Sequence, residues 1–275
     1  MSSRPHAGLV ADLWRFPVKS MAGERVEVAP LTSEGLLGDR ALALLDVESG
    51  AVVSASSKHF PGLMNWRARY AQPPRPGADL PAVHVSNPAG DTWTTEDPAI
   101  EDRISAHFGR RVALVRARTP AYAAKQAAFF ADIGLENVAP ARTLVDLCPV
   151  SVISTSTLAE LGRLAPESRF DPRRFRMNIL VSGAAPGFPD NDWVGASLII
   201  GNQVRLHVAM PDPRCSMTTL PQGDLPKDPG ILRTIAEAAS RPVGASSPQP
   251  CAGVYATVVT PGTVKGGDPV QLSAR

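Results

Sequence analysis

Residues 197–219 read SLIIGNQVRLHVAMPDPRCSMTT, and they contain the clearest β-hairpin of the sequence. Two strand-like runs flank Gly201-Asn202, a dipeptide typical of two-residue hairpin turns. Two prolines follow the second run, and because proline cannot donate to a sheet ladder, we expect them to end the strand. This pattern places Arg214 and Cys215 on a loop at a strand end, where a rigid sheet can hold reactive groups.

Short runs of the same kind recur along the 275-residue chain, separated by turn residues that include many of its 27 prolines and 22 glycines. Ser49-Gly50 joins two of these runs as a second hairpin. Residues 72–81 predict a loop, and the weakly patterned residues 121–140 predict a surface excursion without regular structure. The further predicted strands cover residues 9–16, 25–31, 41–47, 51–55, 82–86, 112–116, 178–182, 255–259 and 269–272.

Three segments predict helices. Asp97-Pro98 and Asp228-Pro229 each place an N-cap residue before a proline, and proline fits the first position of a helix. Apolar residues follow the first of these pairs at a spacing of four, and Gly109 closes that helix. Residues 155–164 predict the third helix, with Leu158 and Leu161 facing inward. The sequence therefore predicts a mainly β protein with peripheral helices, of the α+β class.

Composition limits the function before any motif is considered. The chain has 28 basic and 26 acidic residues and only 5% aromatic residues, which argues against nucleic-acid binding. It contains no apolar run of 18 residues that would cross a membrane, and residues 1–8 lack the apolar core of a signal peptide. We therefore expect a cytoplasmic protein with no membrane partner. Three cysteines are too few and too widely spaced for a disulfide scaffold.

Cys215 is the best candidate for a chemical role. The neighbouring Arg214 favours the thiolate, which is the form that binds metals. No CxxC or HxxxH spacing supplies the other ligands of a zinc site, and the GxSxG, Walker and GxGxxG motifs are absent. Without further features, a buried packing role is the more common one for such a cysteine. We interpret Cys148 and Cys251 as packed thiols.

Several separate segments, in a fixed order along nearly the whole chain, resemble the MOSC family. This family is named for the C-terminal domain of molybdenum cofactor sulfurase and includes the mitochondrial amidoxime-reducing component. The resemblance implies an N-terminal MOSC-type β-barrel part, residues 1–118, packed on a MOSC β-barrel domain, residues 119–275. The matching segments are FPVKSMAG (16–23), LLGDR (36–40), FRMN (175–178), RCSMTT (214–219) followed by DP (228–229), and GVY (253–255).

The resemblance also implies a cofactor and a site. The family's cofactor is a molybdopterin, in which a pterin dithiolene holds molybdenum, and Cys215 matches the position of the protein's thiolate ligand and catalytic residue. Three departures from the family's motifs occur: Met177 replaces a proline, Cys148 replaces a serine two residues after Asp146, and residues 211–213 (PDP) replace a small, polar lead-in to Cys215. The positions that match cofactor-binding residues of the family are Lys19, Ser20, Arg40, Asp146, Arg176, Asn178, Arg214 and Tyr255.

The activity implied by the resemblance is the reduction of N–O bonds in small N-hydroxylated molecules such as hydroxylamines and amidoximes. Electrons would come from a separate protein of the ferredoxin or flavin reductase type, and a monomer is the default expectation. Three alternatives stay open: a carrier of cofactor or sulfur that uses Cys215 without reducing anything, an enzyme of secondary metabolism with the same site, and an interaction protein with a vestigial site.

Overall fold

The structure, a computed structural model, describes residues 6–116 and 119–273, and most of its regular structure is β. The strands are β1 (His6–Arg15), β2 (Glu24–Val26), β3 (Val28–Thr32), β4 (Gly35–Leu36), β5 (Ala43–Asp46), β6 (Ala51–Val52), β7 (Arg67–Tyr70), β8 (Val83–Ser86), β9 (Thr92–Thr94), β10 (Val112–Val115), β11 (Val150–Ser154), β12 (Ile179–Ser182), β13 (Ser197–Ile200), β14 (Val204–Pro213), β15 (Ser240–Arg241), β16 (Gln249–Thr260), β17 (Gly262–Lys265) and β18 (Pro269–Ser273). The helices are α1 (Ile100–Phe108), α2 (Pro120–Asp132), α3 (Thr155–Leu164) and α4 (Gly230–Ala238).

Seven strands close into a barrel in the order β11-β12-β1-β18-β13-β14-β16, and β16 pairs again with β11. Among the described pairings of these seven strands, that of β11 with β12 is parallel and the others are antiparallel, and Ser151 faces Tyr255 across the closing β11–β16 pair. The barrel interior is filled by apolar side chains from nearly every strand, which buries each strand's inward face. Because β1 lies between β12 and β18, the start of the chain is built into the barrel of the second half.

A second apolar core lies within residues 18–112, around the buried side chains of Phe60 and Trp66. Two three-stranded sheets, β10-β5-β6 and β7-β8-β9, and helix α1 enclose it. The prediction of a mainly β fold with peripheral helices is thus confirmed. The predicted boundary between residues 118 and 119 falls beside residues 117–118, which lie outside the described residues, and it stays a prediction. Among the described helices, none is long and apolar enough to span a membrane.

The prediction that two prolines end β14 is wrong, because the strand continues to Pro213. The register between β14 and β16 shifts between Val208 and Met210 and again between Pro211 and Pro213. Such bulges leave positions where no ladder N–H is needed, so proline is tolerated. The preceding hairpin is confirmed, although its loop has three residues, since Ile200 pairs with Val204.

The helix starts also differ from the prediction. Helix α2 occupies much of the segment predicted to be irregular: the Thr119 hydroxyl accepts a hydrogen bond from the Tyr122 N–H, and alanines favour the helix. Its apolar pattern is weak because only Gln126 and Phe130 are fully buried. Helix α1 begins two residues later than its Asp-Pro pair predicts, and helix α4 begins one residue later, because the Asp97 and Asp228 carboxylates accept hydrogen bonds from Ala99 and Gly230 in a turn that precedes each helix. Helix α3 is confirmed at residues 155–164.

We predict that Gly35→Ala destabilises the protein strongly. Gly35 has a φ of 103°, and a Cβ there would lie 2.2 Å from the Pro149 carbonyl oxygen, which precedes β11. Gly50 is a matched control, because its φ is 66° but a Cβ there would meet none of the described atoms beyond its chain neighbours within 4 Å. In urea unfolding we expect a loss of about 1 kcal/mol for Gly50→Ala and of about 3 kcal/mol or more for Gly35→Ala. Equal losses would contradict the close contact.

We also predict a pH-dependent contribution from Asp46. Hydrogen bonds from Arg110 at 2.8 and 2.9 Å lower the pKa of the buried Asp46 carboxyl to about 2, although burial opposes this. Since the folded-state pKa lies below the ordinary value of 3.8, this stabilisation is present above pH 4 and is lost as the pH falls towards 2. The free energy of unfolding of wild type should exceed that of Asp46→Asn by about 1–2 kcal/mol at pH 6, and this difference should shrink at pH 3. A constant difference would refute this assignment.

Candidate functional site

A cavity of about 140 Å³ opens beside the seam where β11 pairs with β16, and we call it the cationic cavity. Its walls come from both halves of the chain: the loops after β1 and β4, the segment before β11, the segment before β12, and the end of β14. The lining residues are Lys19, Ser20, Arg40, Asp146, Leu147, Ser151, Arg174, Phe175, Arg176, Asp212, Pro213, Arg214, Cys215, Met217, Thr218 and Tyr255.

Cys215 lies two residues after the end of β14 and is exposed at the cavity, whereas Cys148 and Cys251 are buried in an apolar cluster. A short 3-10 turn, Ser216–Thr219, follows it, and the Thr218 hydroxyl donates to the Cys215 carbonyl at 3.0 Å. Burial raises the pKa of Cys148 and Cys251, so these two thiols stay protonated. The described structure therefore leaves Cys215 as the accessible sulfur.

Five cationic side chains line this cavity, and the four other than Arg174 are held by separate partners. Lys19 Nζ lies 2.5 Å from Asp146 Oδ1, and Arg214 Nη1 donates to Asp212 Oδ2 at 2.5 Å. Arg40 pairs with Asp39 and also donates to the Arg176 carbonyl at 3.0 Å. Arg176 donates to the Met21 carbonyl at 2.6 Å, and both Arg40 and Arg176 lie over the Phe16 ring, at 4.6 and 4.2 Å from its centroid.

The backbone is strained at the same place. Among the described residues, three residues other than glycine have a positive φ: Ser20 at 69°, Arg40 at 44° and Arg176 at 54°. All three line the cationic cavity. Each such conformation costs about 1–3 kcal/mol and persists only where the surroundings enforce it, which is typical of functional sites. The fold thus maintains an unfavourable backbone in order to direct these side chains into the cavity.

Burial shifts the pKa values of several charged groups that line the cavity. Burial and the nearby Arg40 charge lower the pKa of Arg176 to about 9. Burial also lowers the pKa of Lys19, even though Asp146 pairs with it. Asp212 is the buried counterion, and burial raises its pKa to about 6 although Arg214 opposes this. The lining contains five basic and two acidic side chains, and a bound anion would offset this excess of positive charge.

Of the residues singled out in the sequence, Lys19, Ser20, Arg40, Asp146, Arg176, Arg214, Cys215 and Tyr255 all line the cationic cavity. Asn178 does not. It is buried behind the wall, where its Oδ1 accepts hydrogen bonds at 3.1 Å from the N–H and hydroxyl of Ser151 and its Nδ2 donates to the Trp14 carbonyl. Asn178 therefore positions Ser151, which does line the cavity.

The sequence reasoning missed Asp212, Arg174 and Ser151. Asp212 stands between the two prolines that were expected to end β14, and its place beside Arg214 was the one local signal for it. Arg174 is fully buried and donates to the carbonyls of Thr218, Leu220 and Pro226, so it fixes the loop that carries Cys215. No local pattern distinguishes this arginine from its half-buried neighbour Arg173.

Comparison with known families gives the class of protein. Residues 7–133 match the MOSC N-terminal beta barrel domain, and residues 139–271 match the MOSC domain. Together these matches span nearly the whole chain in the order that the motifs predict, and the chain belongs to the MOSC family.

Among individual proteins, mitochondrial amidoxime reducing component 2 of Bos taurus is 32% identical over 131 residues, which are 46% of this chain and 37% of that protein. The YuaD protein of Bacillus subtilis has a solved structure that covers 98% of this chain and 97% of its own, at 14% identity and a TM-score of 0.45. YiiM of Geobacillus stearothermophilus covers 46% of this chain and 55% of its own, at 20% identity and a TM-score of 0.32.

We predict that inorganic phosphate stabilises the cofactor-free protein through the cationic cavity. Relative to chloride at equal ionic strength, 10 mM phosphate should raise the melting temperature by about 2–4 °C, because it binds the folded state alone. Arg176→Met should lose most of this shift. Arg163→Met should keep it, since Arg163 is exposed on α3 and pairs with Glu160. An undiminished shift in Arg176→Met would place the anion elsewhere.

Proposed function

We propose that this protein binds a molybdenum cofactor in the cationic cavity and reduces N–O bonds of small N-hydroxylated compounds. The observation that carries the proposal is the exposed Cys215 thiol at the edge of a cavity lined by Lys19, Arg40, Arg176 and Arg214. The same combination fits the two ends of a molybdopterin, whose metal takes soft sulfur ligands and whose phosphate takes cationic donors.

The residues present fit this group. Among the described residues, the Nε atom of Arg214 is buried without a hydrogen-bond partner, and burial together with the nearby Arg40 charge lowers the pKa of Arg176. A phosphate dianion would satisfy both. Among the described residues, no group of three or more His, Cys, Asp or Glu side chains could hold a metal ion, so the remaining sulfur ligands would come from the dithiolene. Cys215 would be the ligand supplied by the protein.

When bound, the cofactor would supply the two electrons that convert a hydroxylamine-type N–OH and two protons into an amine-type N–H and water. The chain's own residues would bind and orient the cofactor. Lys19, Arg40, Arg176 and Arg214 would hold the anionic part, and Arg174 fixes the loop of Cys215. Burial, with Asp212 and Asp146 nearby, raises the pKa of Tyr255, so its phenol keeps the proton and acts as a hydrogen-bond donor.

Electrons must reach the site from outside this chain. It has three cysteines, and iron–sulfur clusters are generally held by four protein ligands. The proposal therefore includes a separate electron-donor protein. It also includes a small-molecule substrate.

Cofactor or sulfur transport is the second candidate, and it is favoured by the accessibility of the Cys215 thiol. A persulfide on Cys215 after incubation with a cysteine desulfurase, together with no N–O reduction by molybdenum-loaded protein, would favour transport. An enzyme of secondary metabolism would use the same site on one particular N–O substrate.

We predict that the molybdenum content of the protein depends on Cys215. After expression in a host that makes the cofactor, wild type should contain about one molybdenum per chain, and Cys215→Ser should contain about tenfold less, because the thiolate ligand is lost. Cys148→Ala is the matched control, since this buried thiol lies outside the cavity. Elemental analysis measures the molybdenum, and fluorescence measures the pterin. Molybdenum retained in Cys215→Ser would contradict the ligand assignment.

The reductase activity needs its own test. Molybdenum-loaded wild type with an artificial electron donor should convert benzamidoxime to benzamidine, and Cys215→Ser should not. If fully loaded wild type leaves benzamidoxime and hydroxylamines unchanged, the reductase proposal fails and the transport function takes its place.

A further inference from the structure

A second cavity of about 370 Å³ adjoins the cationic cavity, and we call it the side cavity. The two share Asp146, Leu147, Pro213, Arg214 and Cys215. The remaining wall of the side cavity comes from α2, through Tyr122, Lys125, Gln126 and Phe129, and from Gln249 of β16. Its volume lies within the range of small-molecule pockets, and Cys215 stands at the junction of the two spaces.

The α2 wall is a regular stripe. Tyr122, Lys125, Gln126 and Phe129 lie at i, i+3, i+4 and i+7, so they share one face of the helix. That face is fixed to the segment before β11, because Gln126 Nε2 donates to the carbonyls of Val145 and Asp146 at 2.8 and 2.9 Å. The Tyr122 hydroxyl also contacts the Val145 carbonyl, at 2.8 Å. The wall is therefore held at its base by hydrogen bonds.

The side cavity differs chemically from the cationic cavity. Phe129, Leu147 and Pro213 give it apolar surface, and the Tyr122 ring adds an aromatic face. Besides Arg214, which both cavities share, the side cavity is lined by one further basic residue, the exposed Lys125. Within the described part of the chain, no carboxylate forms an ion pair with Lys125. At the boundary with the cationic cavity, Asp146 is 63% exposed and uses Oδ1 for Lys19, which leaves Oδ2 as an acceptor.

We propose that the side cavity binds the substrate, and that Lys125 and Phe129 select N-hydroxylated compounds with a flat apolar body and a terminal carboxylate. This inference rests on the proposed function. The N–H groups of an amidoxime would donate to Asp146 beside Cys215, the body would pack on Phe129, and the carboxylate would pair with Lys125. The side cavity contains both groups, the Asp146 carboxylate where it meets the cationic cavity and the Lys125 ammonium on the α2 wall.

Binding to the molybdenum-loaded protein tests this without turnover. Calorimetry would compare para-carboxybenzamidoxime with para-carbamoylbenzamidoxime, which has the same shape but no charge. Wild type should bind the carboxylate about fivefold more tightly, the usual size of one partly exposed ion pair. Lys125→Gln should remove that preference, and Lys125→Glu should reverse it. Phe129→Ala should weaken both ligands by about tenfold, because it removes the apolar wall.

Lys58→Glu is the control for net charge, since Lys58 is exposed and does not line either cavity. Molybdenum content verifies that each variant keeps its cofactor. The inference is overturned if Lys125→Glu still binds the carboxylate ligand more tightly than the carbamoyl ligand. It is also overturned if Lys58→Glu changes this preference as much as Lys125→Glu does. Binding that depends on Lys125 and Phe129 without any reduction supports the side cavity as a ligand site and overturns the reductase proposal instead.

Discussion

Electrostatic repulsion among Lys19, Arg40, Arg176 and Arg214 is the constraint on which the arrangement of the site depends. Like charges that converge on a small, partly buried cavity disfavour folding unless each has a partner, and burial of charge adds a further cost. The fold meets this cost with Asp39, Asp146 and Asp212, with main-chain carbonyls, and with the Phe16 ring. The positive charge that remains unbalanced is the basis for the proposal that the cavity binds an anion.

This arrangement needs both halves of the chain. Lys19, Ser20 and Arg40 come from loops near the start, whereas Arg176, Arg214 and Cys215 come from the second half. Strand β1 connects them, since it pairs with β12 and β18 and carries the following loop to the seam of the barrel. The left-handed backbone at Ser20, Arg40 and Arg176 has a cost that the packed barrel can support. The barrel is thus a rigid frame for a site built from loops.

Helix α2 forms one wall of the side cavity. It contributes little to the apolar core, yet its hydrogen bonds to residues 145–146 place it beside the carboxylate that pairs with Lys19. A helix that is only partly buried can vary its exposed face without disturbing the barrel, which suits a wall that selects substrates. Cofactor binding and substrate choice would then reside in different parts of the chain and meet at Cys215.

The sequence by itself determined the β-rich class, the hairpin before Cys215, helix α3 and eight of the residues that line the cationic cavity, because periodicity, turn chemistry and short motifs are local properties. Only the tertiary structure decided that β14 continues through two prolines, since bulges against β16 remove the need for their N–H groups. It also decided that Asn178 supports Ser151 from behind, that Arg174 holds the Cys215 loop, and that α2 forms a wall. These roles depend on contacts between residues distant in sequence, which no local pattern records.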